Sequence, residues 1–339
     1  MKSIRILPLA LLLLAAQLHA KPLQVFILAG QSNMQGQAKI STFEHIGMNP
    51  ATKPMLAEMV GADGKPKVCE RVWISSIGSA EAEQTRKLTA GFGASGEKIG
   101  PEFTFGIYME KFTDAPILLI KTSWGGKSLN TDFRPPSAGP YVFNDTQFAA
   151  FQKQGKDVAA MTAEKEKATG VNYRLMIEHV KKVLGDIKRV VPGYDAAQGY
   201  ELAGFAWFQG WNDMVDGSTY PNRDKPGGYD AYSTAMAHFI RDVRRDLNAP
   251  KLPFVIGVLG VGGPTADYGP DQLRYKVTHQ IFRDAMAAPA QLPEFKGNVA
   301  AVLEKGISNL EFHYLGSAKI LGGIGKGLAE AMAELKQAK

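Results

Sequence analysis

Leu23-Gln24-Val25-Phe26-Ile27-Leu28, followed by Ala29-Gly30-Gln31-Ser32-Asn33-Met34, decides how the rest of the chain is read. The first six residues are rich in Val, Phe, Ile and Leu and have the length of a buried strand. The next six break into small and polar residues, which places a serine at the carboxyl end of a first strand. Open α/β sheets bind ligands outside the carboxyl ends of their strands, so Ser32 is a candidate nucleophile whose own N–H faces an oxyanion. Ser is also among the preferred N-caps of helices, and this stretch taken alone leaves both readings open.

The remainder of the chain fits one α/β domain. The 339 residues, 45% hydrophobic and 21% charged, have the composition of an ordinary globular protein. Lys2 and Arg5 precede an apolar block from Ile6 to Ala16, and Leu18-His19-Ala20 offers a cleavage site before Lys21. Residues 1–20 therefore read as a signal peptide, since the block is shorter than the roughly 20 residues a membrane span needs. The expected location is secreted or periplasmic, with a single domain over residues 21–339. The formal net charge of +6 includes two charges in the leader. The other basic residues are scattered or interleaved with acids, as in Arg241-Asp242-Val243-Arg244-Arg245-Asp246, which argues against a nucleic-acid groove. The single Cys69 excludes an internal disulfide.

Buried strands recur at Ile117–Ile120, Leu202–Gln209, Pro253–Gly260 and Val299–Leu303, and a further short strand is expected at Val72–Ser76. Helices are expected from Gly100-Pro101-Glu102 to about Phe112, over Tyr173–Ile187, Tyr229–Leu247 and Asp271–Ala287, and at the end to about Lys336. Glu102 reads as an acid compensating the dipole of its helix. His179 lies in an apolar stripe and reads as a packed histidine, and His238 as a structural or surface residue. Residues 130–170 interrupt the alternation and read as a long excursion that walls or covers a cleft. Strands alternating with helices throughout give an α/β fold with a mostly parallel central sheet.

The loops after these strands carry the chemistry. Gly125-Gly126 follows Thr122-Ser123-Trp124, and a glycine pair there either lets the backbone approach a ligand closely, with an N–H for an oxyanion, or simply makes a tight turn. Asn212 follows Gln209-Gly210-Trp211, where its side-chain N–H suits an oxyanion, a contribution worth about 3–4 kcal/mol, or where it holds a turn through its own backbone bonds. His313 comes late in the chain. Ser32, Gly125, Asn212 and His313 together fit acyl transfer: a serine attacks, a histidine takes and returns the proton, and three donors hold the oxyanion. No H-E-x-x-H or Cys/His spacing points to a metal, and no cofactor is expected.

Gln31-Ser32-Asn33-Met34, Trp124-Gly125-Gly126, Gly210-Trp211-Asn212-Asp213 and His313 resemble, in order, the four blocks of the SGNH hydrolases. More narrowly, Gly30-Gln31-Ser32-Asn33-Met34, Gly100-Pro101-Glu102, Trp207-Phe208-Gln209-Gly210 and His313-Tyr314-Leu315-Gly316-Ser317-Ala318 resemble the sialate O-acetylesterase and acetylxylan esterase branch. The resemblance implies a three-layer, flavodoxin-like fold that removes O-acetyl groups from carbohydrates. It implies Ser32 as nucleophile and His313 as base, with the Ser32 N–H, the Gly125 N–H and the Asn212 side chain as oxyanion donors. Gln31, Trp124, Gln209, Trp211 and Arg134 are the candidates to meet the sugar.

One position departs from the pattern. The SGNH hydrolases carry an Asp three residues before the histidine, and Leu310 stands there. Glu311 is the nearest carboxylate and, two residues from His313, would share its face in a strand. A Ser–His dyad is the alternative. An esterase for another small acyl ester and a catalytically silent carbohydrate-binding protein are the competing functional readings.

Overall fold

The structure is a computed structural model in which residues 21–79, 82–303 and 316–337 are described. His313 and Glu311, with the leader, lie outside the described residues. The strands are β1 (Leu23–Gly30), β2 (Ala38–Lys39), β3 (Val72–Gly78), β4 (Gln84–Lys87), β5 (Lys98–Ile99), β6 (Ile117–Ser123), β7 (Tyr200–Phe208), β8 (Phe254–Val258) and β9 (Val299–Leu303). Seven of them form one sheet in the order β4-β3-β6-β1-β7-β8-β9, and β2 pairs with β5 in a small ribbon. All neighbours in the large sheet run parallel except β3 and β4. The α/β fold with a mostly parallel sheet is the one the sequence implies.

The helices are α1 (Ser32–Gln35), α2 (Phe43–Gly47), α3 (Lys53–Met59), α4 (Glu102–Phe112), α5 (Asp145–Lys153), α6 (Val158–Ala168), α7 (Val171–Gly185), α8 (Trp211–Val215), α9 (Asp230–Asp246), α10 (Leu273–Ala287) and α11 (Ala318–Gln337). Successive strand residues point to opposite faces, and β7 shows which helices cover each. A Cβ on Gly204 would collide with Met332 of α11, whereas Phe205 meets Phe239 of α9 edge-on at 5.6–5.9 Å centroid spacing, as does Tyr173 of α7. Helix α11 packs against α4 on its face, where Thr104 Oγ1 donates to the Gly322 carbonyl at 2.7 Å. Covered on both sides, all seven residues of β6 are buried, and each buried Ile or Leu contributes about 1.5–3 kcal/mol.

The excursion at 130–170 is not structureless. Asn144 caps α5 through a reciprocal capping box with Gln147, and the Asp157 carboxylate accepts the Ala159 and Ala160 N–H groups at the start of α6. These polar caps satisfy helix-end donors that hydrophobic periodicity does not reveal.

The topology brings three strand ends together. Strand β1 is central, and its last residue, Gly30, pairs with Ser123 of β6 on one side and Phe208 of β7 on the other. The chain leaves the sheet at one level on three adjacent strands, where the order reverses direction between β6 and β7. That is the switch point at which open α/β sheets leave a crevice.

Candidate active site

Gly30 allows the turn carrying Ser32 to sit tightly on the sheet. A Cβ at Gly30 would lie 2.2 Å from the Phe208 carbonyl oxygen, so no larger residue fits between β1 and β7. Ser32 then opens α1, with the Gly36 N–H returning to the Ser32 carbonyl at 2.9 Å. Ser32 is 5% exposed. Its Oγ accepts a hydrogen bond from Gln31 Nε2 at 3.3 Å.

Gln31 is wholly buried and spans two of the three strand ends. Its Oε1 accepts from Gln209 Nε2, the Gly210 N–H and the Asn212 N–H, each at 3.2 Å. Three donors converging on one amide oxygen fix the orientation of that amide and leave its nitrogen facing Ser32. The sequence suggested Gln31 and Gln209 as substrate contacts; in the fold both are interior and spend their polar atoms on one another and on the turn carrying Asn212. The Asn212 side chain is half-buried and makes no hydrogen bond among the described residues.

Gly125 stands beside Ser32: a Cβ built on Gly125 would lie 4.0 Å from Ser32 Cβ. Its N–H donates to Ser79 Oγ at 3.1 Å. Ser79 follows the end of β3, whose Gly78 pairs with Ser123, so a fourth strand end reaches the same place. Nothing in the sequence around Ser79 distinguishes it from an ordinary loop serine, because its position depends on the pairing of β3 with β6.

Behind these turns lies a buried acid. Asp213 accepts from the Leu129 and Asn130 N–H groups at 2.8 and 3.1 Å, from Gln209 Nε2 at 2.6 Å and from the Tyr220 hydroxyl at 3.0 Å. Burial raises its carboxyl to about 6, against the lowering effect of these four donors. Asp213 thereby ties the chain after Gly125 to the turn of Asn212. Its role in joining the two turns escapes sequence reading, because the Leu129 and Asn130 N–H groups that donate to it lie more than eighty residues upstream.

Trp124 is half-buried against Phe133, at 6.0 Å between ring centroids, and its backbone N–H donates to the Gly30 carbonyl. Trp211 packs against the core. Arg134 directs Nε and Nη2 to the Gly139 and Ala138 carbonyls at 2.8 Å and Nη1 to Asn130 Oδ1 at 3.0 Å. It braces its own loop at the wall of a cavity of about 360 Å³ that Tyr141, Asn144, Thr219 and His238 also line. Burial lowers the Arg134 guanidinium from its ordinary value.

A second Ser–His–acid cluster is structural. Ser75, mid-strand in β3, lies 2.9 Å from His179 Nε2 and donates to Glu83 at 2.7 Å. Glu83 also binds Lys182 and Arg189, and its carboxyl lies at about 2, held down by these hydrogen bonds against its own burial. Burial pushes His179 down to about 4. The cluster pins α7 to the sheet at buried positions, as expected of a packed His179. No group of three or more His, Cys, Asp or Glu among the described residues is arranged to hold a metal, and no described helix is long and apolar enough to cross a membrane.

Known structures share this architecture. A protein from Arabidopsis thaliana, 18% identical, superposes with a TM-score of 0.50 over 92% of this chain and 98% of its own. A carbohydrate acetylesterase from Xanthomonas citri, 14% identical, gives 0.52 over 93% of this chain and 57% of its own. At these identities the likeness is one of fold. No curated protein matches by sequence. Residues 22–334 match the family model described as carbohydrate esterase, sialic acid-specific acetylesterase, and the chain belongs to that family: it is a carboxylic ester hydrolase that removes O-acetyl groups from carbohydrates.

Proposed function

We propose that deacetylation runs through an acyl-enzyme on Ser32, with the Ser32 and Gly125 N–H groups and the Asn212 side chain stabilising the oxyanion. The supporting observation is the convergence of these three residues at the ends of adjacent strands, with Gln31 bound to both Ser32 and the turn of Asn212. Ser32 Oγ attacks the acetyl carbonyl carbon as its proton passes to His313. The tetrahedral oxyanion collapses, the C–O bond to the sugar breaks, and His313 returns the proton to the departing sugar oxygen. Water activated by the same histidine then releases acetate.

In this reading Glu311, the nearest carboxylate in sequence, orients His313 from two residues away, with a Ser–His dyad as the alternative. An acetyl ester is more reactive than an amide, which eases the demand on a triad acid. The substrate is an acetylated glycan, and the mature chain begins at Lys21 after export. The test is acetate release over a panel of acetylated glycans by wild type, Ser32→Ala and His313→Ala. Abolished release in both variants, with unchanged circular dichroism, is expected. Wild-type-like turnover by Ser32→Ala would sink the mechanism, and Glu311→Gln with full activity across neutral pH would remove Glu311 from it.

A further inference from the structure

Beneath the Ser32 turn lies an ion pair that the proposed chemistry leaves without a task. Lys121 and Glu102 have side chains 1% and 0% exposed, and Lys121 Nζ lies 2.6 Å from Glu102 Oε2. The same Nζ donates to the Gln35 carbonyl at 2.9 Å and to the Phe92 carbonyl at 2.7 Å. Three acceptors around one nitrogen use the three donors of an ammonium, so the lysine is charged and its partner is the carboxylate. Burial drives Glu102 up and Lys121 down from their ordinary values, each against the attraction of the other. Glu102 Oε1 in turn accepts the Gly100 N–H at 2.9 Å. A charged pair at this depth is costly, and an apolar pair of similar volume is often no less stable.

The location of the pair ties two parts of the crevice together. Lys121 sits on β6 four residues before Gly125, and Gln35 is the last residue of the one-turn helix that begins at Ser32. The bond from Lys121 to Gln35 thus fastens the Ser32 turn to the strand that delivers Gly125. Glu102 holds the ammonium from the other side and, through Gly100, fixes the floor under Gly36. There the backbones meet so closely that a Cβ on Gly36 would lie 2.2 Å from Gly100 Cα. Gly36 also has φ +94°, which favours glycine.

We propose that Lys121 and Glu102 are positioning residues that set the height of Ser32 Oγ relative to the Gly125 N–H; the proposal rests on Ser32 being the nucleophile. The test measures kcat and KM for 4-nitrophenyl acetate, with melting temperature, in Lys121→Met, Glu102→Gln and the double variant Glu102→Leu/Lys121→Met. Each single change leaves a buried charge without its partner and lowers the melting temperature. The double change removes both charges and restores most of it, yet it cannot rebuild the bond to Gln35. Its kcat is expected to stay about 100-fold down, the scale of a misplacement of about 1 Å, with KM within a few-fold of wild type.

Recovery of both melting temperature and kcat in the double variant would show a purely structural pair and overturn the proposal. Should the double variant not fold, the isosteric Glu102→Gln decides: a lower kcat at unchanged KM supports positioning, and unchanged kcat overturns it. Ser32→Ala, assayed alongside, separates the two claims. Activity retained there removes the nucleophile assignment, whereas activity lost there but kept in the pair variants removes only the positioning role.

Discussion

Gln31 Oε1 accepts the backbone N–H of Asn212 at 3.2 Å while Gln31 Nε2 donates to Ser32 Oγ at 3.3 Å, so one buried amide spaces the serine from the turn that carries the asparagine. Replacing Gln31 by Ala strands the Gly210 and Asn212 N–H donors that now share its oxygen, each loss costing on the order of 1–3 kcal/mol, while Gln209 keeps its bonds to Asp213 and the Lys127 carbonyl. Gln31→Ala is expected to lower kcat for acetyl esters by about 100-fold and to lower the melting temperature as well. Steady-state kinetics and thermal unfolding check this. Unchanged kcat would mean that the spacing is held by other contacts.

The Asn212 side-chain amide is half-buried and without a hydrogen bond among the described residues, and in the proposed mechanism it serves the oxyanion. A donor used only when the oxyanion forms affects kcat more than KM. Asn212→Ala is expected to reduce kcat by about 10²–10³-fold, with little change in KM or in unfolding temperature. A variant with wild-type kcat would remove this side chain from the oxyanion site.

The Gly125 N–H is already bonded, to Ser79 Oγ at 3.1 Å. An oxyanion that uses this donor displaces the hydroxyl, and an exchanged hydrogen bond is worth about 1 kcal/mol net. Ser79→Ala frees the amide and is expected to raise kcat/KM for small acetyl esters by roughly five-fold. A fall in kcat/KM would show that the Ser79 hydroxyl assists the substrate instead.

Asp213 titrates at about 6 in the fold, raised from 3.8 by burial. The folded carboxyl holds its proton more tightly than the unfolded one, so its contribution to stability declines as pH rises from about 4 to 6 and is level above that. Asp213→Asn does not titrate and lacks this decline. Urea unfolding of the two proteins from pH 4 to pH 7 should show wild type losing up to about 3 kcal/mol relative to the variant. Parallel stability curves would mean that the carboxyl titrates at its ordinary value. At neutral pH the variant replaces an acceptor of four hydrogen bonds by an amide that donates as well, which should loosen the segment after Gly125 and lower kcat.

Much of the fold could be read in the chain because its parallel strands are buried on both faces. Runs such as Ile117–Ile120 and Leu202–Gln209 stand out for that reason, and helices with apolar stripes lie between them. Strand β1 runs two residues past the expected Leu28, to Gly30, since the small residues that break the apolar pattern still pair with Ser123 and Phe208. Glu102 shows where pattern reading stops. At the start of α4 it has the position of a dipole-compensating acid, and what identifies it as half of a buried pair is Lys121, nineteen residues later on a different element. A lysine amid apolar strand residues was the one local sign.

The amino-acid sequence by itself determined the alternating α/β order, the small and polar breaks after three of its strands, and the residue types those breaks present: Ser32, Gly125 and Asn212. These are local properties, set by hydrophobic period and by which residues tolerate a tight turn. Only the tertiary structure decided that the three breaks meet, since the order β6-β1-β7 sets the end of β1, Gly30, beside Ser123 and Phe208, far downstream in the chain. It also decided which polar groups serve the interior. Gln31, Gln209, Asp213, Glu102 and Lys121 are buried, and a buried polar atom must find partners wherever the fold brings them, at sequence distances that no local pattern records.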